Sequence, residues 1–147
     1  MVAYSFNAIF ANQVSSLRKR QTVRAERKRH ARPGEPVQLY AGMRTRSCRK
    51  LVHPDPVCSS VSKIEISLSI LIDDMIASIS IDGIPLRSEE IEAFAKADGF
   101  GVEEVGDWRF KATGRRGTAR WNMGDFWMRN HGSGRFDGVL IKWEPAE

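Results

Sequence analysis

Residues 61–70, Val-Ser-Lys-Ile-Glu-Ile-Ser-Leu-Ser-Ile, narrow the possible folds of this chain more than any other stretch. Ile64, Ile66, Leu68 and Ile70 alternate strictly with Lys63, Glu65, Ser67 and Ser69. Successive side chains on a strand point to opposite faces, so this period of two predicts a strand with one buried face. After Asp73-Asp74 the parity changes, and Ile79 and Ile81 fall on odd positions. A break at the Asp pair, a further short strand and a turn at Asp82-Gly83 account for the change.

Other elements arrange themselves around this strand. "FNAIFANQVSSL" reads as a short helix, and "QTVRA" as an extended segment with Thr22 and Arg24 on one face and Val23 on the other. "ERKRHARPGEP" reads as a basic turn or loop stopped by Pro33-Gly34. "PVQLYAG" alternates again, with Val37, Leu39 and Ala41 on one side. "SEEIEAFAKADGF" is the clearest helix. Ser88 is its candidate N-cap, Glu89 and Glu90 suit the positive end of the dipole, Ile91, Phe94 and Ala95 make its apolar stripe, and Gly99 stops it. "NMGDFWMRNHG" reads as a second helix and "GVLIKW" as a final strand. The segment from Gly101 to Gly124 has no firm period and reads as an extended, Gly-punctuated loop containing "KATGRRGTAR". This order is not a regular βαβ alternation. The expected class is α+β: one domain over residues 1–147, built as a small mixed β-barrel with short helices at its edge.

Charge gives the first indication of function. Residues 1–50 hold 12 Lys/Arg and 2 Asp/Glu, a balance of +10, while residues 51–147 hold 11 and 16, a balance of −5. Half of the sixteen residues of "LRKRQTVRAERKRHAR", Leu17 to Arg32, are basic and only Glu26 is acidic. Such asymmetry favours a polyanionic partner, RNA or single-stranded nucleic acid before an anionic membrane. Phosphate contacts are expected from Arg18, Lys19, Arg20, Arg24, Arg27, Lys28, Arg29 and Arg32. Tyr40, Trp108 and Trp121 are candidates for base stacking, whereas Trp127 and Trp143 are assigned to the core. His30, inside the basic run, is read as a surface residue without function, with a phosphate or base contact as the alternative, and His131 as structural.

No apolar run approaches the roughly 18 residues of a membrane span, and "LSILIDDMIASISI" is interrupted by Asp73 and Asp74. Asn7, Asn12 and Gln13 break any signal-peptide core, so no membrane and a cytoplasmic location are expected. The two cysteines do not indicate a disulfide framework. Cys48, His53 and Cys58 form a C-x4-H-x4-C array, but the spacing is unusual for zinc and no fourth ligand is evident. No metal and no cofactor are expected.

The stretch "LRKRQTVR" resembles the signature of the ASCH family, a branch of the PUA-like superfamily, whose pattern is Gly-x-Lys-x-x-x-x-Arg. Lys19 and Arg24 match its Lys and Arg, and Leu17 stands in place of the Gly. "RPGEPVQLYAG" is similar to the family's P-G-D-x-(L/V)-x-L-Y-x-G segment, "AFAKADGF" to its helix end, and "FWMRNHG" with "FDGVLIKW" to its closing helix and strand. These segments run in the family's order over nearly the whole chain, and the likeness is to ASCH proteins of bacteria and their phages.

The resemblance implies a PUA-like β-barrel with a cleft beside the motif, binding RNA or a nucleotide-like ligand. Some small family members are amidohydrolases that deacylate acetylcytidine, and others are linked to ribonuclease action. In the amidohydrolases a Lys, a Thr three residues later and a Glu act together. Lys19 and Thr22 match the first two, and Asp98 falls near the third, one methylene shorter. An enzyme of this kind would use Lys19 as general base, Thr22 as nucleophile and Asp98 to orient water or the leaving amine. Leu17 carries a penalty of about 1 kcal/mol if its position requires a positive φ.

Overall fold

The computed structural model describes residues 2–147. The chain is a mixed α+β structure with two sheets and several short helices. It begins β1 (Val2–Phe6), α1 (Ala8–Ser15), β2 (Gln21–Ala25), β3 (Val37–Ala41), β4 (Arg49–Lys50), β5 (Val57–Leu68), β6 (Ile76–Ile81) and β7 (Ile84–Pro85). It continues with α2 (Ser88–Ala95), α3 (Val102–Val105), α4 (Trp108–Thr113), α5 (Ala119–His131) and β8 (Gly134–Glu144). One sheet has the order β1-β3-β4 and the other β2-β8-β5-β6-β7. The residues fall into two compact units, 2–62 with 139–147, and 63–138.

In the first unit β1 and β3 pair in parallel, with Tyr4 opposite Leu39 and Phe6 opposite Ala41. Both strands bury alternate residues, Val2, Tyr4 and Phe6 on one and Val37, Leu39 and Ala41 on the other. β3 turns antiparallel onto β4, where Tyr40 lies opposite Lys50. Strand β1 goes unrecognised in the sequence reading, although Val2, Tyr4 and Phe6 carry the same period of two. Five residues cut off by Asn7, which caps α1 by accepting from the Ile9 N–H, leave too short a pattern to stand out.

In the second unit β5 meets β6 in antiparallel register, Ile64 opposite Ile81 and Ile66 opposite Ile79. Asp82-Gly83 makes the two-residue turn into β7, both at positive φ (51° and 79°), the geometry that matches strand twist. The apolar alternation outlasts the strand. Ile70, expected on the buried face, is 76% exposed. The ladder shifts register between Ser67 and Leu68, and the Ser69 hydroxyl then accepts from the Leu71 N–H and starts a turn.

Helix α2 begins one residue earlier than the sequence implies. Arg87, not Ser88, occupies the cap, because the Glu90 carboxylate reaches back to accept from the Arg87 N–H at 2.8 Å. A π-turn over Lys96–Phe100 follows, with Gly99 at φ 99°. The segment read as an extended loop over 101–124 carries α3, α4 and the first turns of α5. Side chains supply the order that periodicity did not reveal. Asp107 accepts from the Phe110 and Gly117 N–H groups, and Asn122 donates to the Phe100 and Gly106 carbonyls. These N–H donors hold the Asp107 carboxyl below its usual pKa, the Gly117 bond first.

Helix α5 packs its Gly124 against the turn at Asp74, whose carbonyl oxygen would lie 2.0 Å from any Cβ placed there. Ala in place of Gly in a helix interior ordinarily gains about 1 kcal/mol. Here Gly124→Ala is expected to lower the unfolding free energy by about 1–3 kcal/mol through overpacking, as read by urea denaturation.

Candidate functional site

The group that matches the motif is assembled by the end of α1. Gln13, Val14, Ser15 and Ser16 are its last turn, and Leu17 follows at φ 62°. The Arg18 N–H reaches the Gln13 carbonyl at 2.9 Å and the Leu17 N–H reaches that of Val14 at 3.0 Å. This is a Schellman stop with Leu where Gly is usual. The Gln13 carbonyl also accepts from the Lys19 N–H at 3.0 Å. The reversal carries the chain into β2, where the Arg20 carbonyl accepts from the Trp143 N–H at 3.0 Å.

Lys19 is thereby buried, only 3% exposed, with Nζ 4.9 Å from the centre of the Phe10 ring and 5.9 Å from that of Phe6. Aromatic faces attract cations, most strongly where water is excluded. Thr22 is 5% exposed and shares a face with Arg24, as the alternation of "QTVRA" predicts. The Arg24 Nε donates to Thr22 Oγ1 at 3.0 Å, and its Nη2 donates to the Ser5 carbonyl at 2.7 Å. The Arg24 guanidinium lies 4.9 Å from the Phe6 ring and 5.3 Å from that of Tyr4. Arg27 covers Tyr4 at 4.6 Å. The result is a row of rings, Phe10, Phe6 and Tyr4, overlain by three cations from the following segment. Sequence reasoning missed all three rings; the signal was their proximity to the basic run and the two-residue spacing of Tyr4 and Phe6.

His30 belongs to the same scaffold. Its Nε2 lies 2.9 Å from the Ala25 carbonyl, which can only accept, so in the neutral ring Nδ1 accepts from the Tyr4 hydroxyl at 3.0 Å. The Tyr4 oxygen in turn accepts from the Ala31 N–H. The rest of the basic run is largely tied to the protein itself. Arg18 donates to the Ser16 hydroxyl, Arg20 pairs with Glu144, Arg27 donates to the Ala3 and Arg29 carbonyls, and Arg29 pairs with Glu35. Lys28 and Arg32 are exposed.

Tyr40 is half-buried, on the face of β3 opposite to Leu39. Trp108 donates its indole N–H to the Val105 carbonyl and meets the Phe100 ring edge-on, and Trp121 is buried. Both are packing residues of the second unit rather than open platforms. Trp143 is fully buried in the core, as expected, whereas Trp127, assigned to the core as well, is only half-buried and lies edge-on to Phe136. Asp98 is in the second unit, 4% exposed, within the π-turn.

A cleft of about 560 Å³ opens where β1 and β3 end and α1 begins, lined by residues of 5–8, 41–43, Ser47 and Arg49. Among the described residues no group of three or more His, Cys, Asp or Glu side chains is arranged to hold a metal ion. Cys48 is exposed, whereas Cys58 is buried on β5, and its desolvation pushes the thiol above its usual pKa. No described helix is long and apolar enough to cross a membrane. Comparison with protein-family models, curated proteins and solved structures finds no match to this chain.

Two outcomes follow from these contacts. Glycine at Leu17 should make the protein about 1 kcal/mol more stable than alanine there, the reverse of their usual order, in chemical denaturation of Leu17→Gly and Leu17→Ala. Alkylation at mildly alkaline pH should label Cys48 quickly and Cys58 only on unfolding, as counted by intact mass.

Proposed function

We propose that the chain is an ASCH-like domain of PUA-like β-barrel type that binds RNA, or a nucleotide within it, beside Lys19, Thr22 and Arg24. The observation that carries this reading is the group of buried Lys19 and Thr22 with half-buried Arg24, whose cations lie over the Phe10, Phe6 and Tyr4 rings. A merely solvated basic face would not bury an amine against two aromatic rings. The backbone at Leu17 adds support, because the motif's glycine slot is filled by a residue in the left-handed conformation that glycine adopts most readily. Unit 1 also carries the positive charge, with 13 Lys/Arg against 5 Asp/Glu, +8 of the chain's total of +5, the second unit contributing −3. Tyr40, half-buried, offers a ring for a base to stack on.

An amidohydrolase acting on acylated cytidine is the second reading, and the burial of Lys19 and Thr22 favours it. Lys19 would take the Thr22 hydroxyl proton as that oxygen attacks the amide carbonyl. The proton would pass to the departing amine, and water would release the acyl group from Thr22.

Titration of the purified chain with labelled single-stranded RNA is expected to show binding at low salt that weakens steeply as salt rises. Absence of binding at low salt would overturn the first reading. Incubation with acetylcytidine tests the second; hydrolysis that persists in Lys19→Ala would exclude the mechanism given for it.

A further inference from the structure

The residues that the basic run leaves unused direct attention to the loop between β3 and β4. Arg44, Arg46 and Arg49 are exposed, and among the described residues their side chains make no hydrogen bond or ion pair. No carboxylate occurs between Glu35 and Asp55, and those two are engaged by Arg29 and Lys50. Glu144, a third acid of the same unit, pairs with Arg20. The three arginines are therefore a cluster of positive charge that no described acid of this unit neutralises. Lys28 and Arg32 are exposed without a side-chain partner among the described residues as well, but they do not line the cleft.

The loop that bears them is built rather than slack. Thr45 Oγ1 donates to the Gly42 carbonyl at 2.6 Å and accepts from the Ser47 N–H at 3.1 Å. The Thr45 and Cys48 N–H groups close two further turns onto the Gly42 and Thr45 carbonyls, and the Met43 N–H bonds Ser5 Oγ. Gly42 has φ 67°, and a Cβ there would meet the Ser47 carbonyl oxygen at 3.0 Å. Arg44 itself is held at φ 66°, a conformation that disfavours any side chain. This loop forms one wall of the 560 Å³ cleft, and Arg49 lines it directly together with Ser5, Asn7 and Ser47.

We infer that Arg44, Arg46 and Arg49 hold the phosphates of the bound single-stranded RNA at the mouth of this cleft, in preference to the arginines of residues 27–32. Guanidinium groups match phosphate oxygens in a fixed fork, and those without an internal acid lose no ion pair on binding. Arg29 must release Glu35 to do the same. The inference rests on the RNA reading above and specifies where its electrostatic grip lies.

The test compares two triple variants with equal loss of charge. Arg44→Gly/Arg46→Ala/Arg49→Ala is set against Lys28→Ala/Arg29→Ala/Arg32→Ala, using a labelled oligouridylate across a salt series. The loop variant should bind at least tenfold more weakly at low salt, with the slope of log K against log salt shallower by about 2, and the second variant should lose less. An equal or greater loss in the second variant overturns the inference and leaves the RNA reading standing. Failure of the unsubstituted chain to bind overturns both. Circular dichroism checks folding, and the Arg46→Ala/Arg49→Ala pair, which leaves the Arg44 backbone untouched, repeats the comparison if the triple variant is unstable.

Discussion

The carbonyl of Gln13 accepts the N–H groups of both Arg18 and Lys19, and the candidate site depends on that double bond. It ends α1 and reverses the chain within a few residues. Lys19 is thereby turned against Phe10 instead of continuing along the helix surface. The turn requires a left-handed residue at Leu17, a conformation usually left to glycine. A leucine persists there because the surrounding bonds over-determine the backbone, and the cost is offset by the contacts of the segment that follows.

The elements legible in the sequence were those whose burial follows a simple period. β3, the buried part of β5, the stripe of α2 and the closing strand all read directly from alternation or helical spacing. Thr22 and Arg24 were legible as a pair for the same reason, since a strand of period two puts them on one face. What escaped depends on particular side-chain bonds. α3 and α4 lack buried residues of their own, and Asp107 and Asn122 order the segment by binding backbone groups. The aromatic row beneath the cations was hidden because it comes from β1 and α1, while the charges come from β2 and the loop beyond.

Charge in the sequence and charge available at the surface are also different quantities. The run from Arg18 to Arg32 dominates any count, yet several of its guanidiniums are committed to backbone carbonyls or to Glu35 and Glu144. Arginine used in this way is structural material: its planar group covers Tyr4 and Phe6 and satisfies strand carbonyls such as those of Ala3 and Ser5. The sparser arginines after β3 have no such duties. A net charge calculated over residues 1–50 cannot separate the two groups, whereas hydrogen-bond geometry does.

The hairpin that closes at Asp82-Gly83 leaves only Ile84 and Pro85 as the terminal strand of its sheet. A proline has no N–H to offer an incoming strand, and two residues are too few to template one. That margin therefore resists accretion of a neighbouring polypeptide, even though Ile84 itself is open to water.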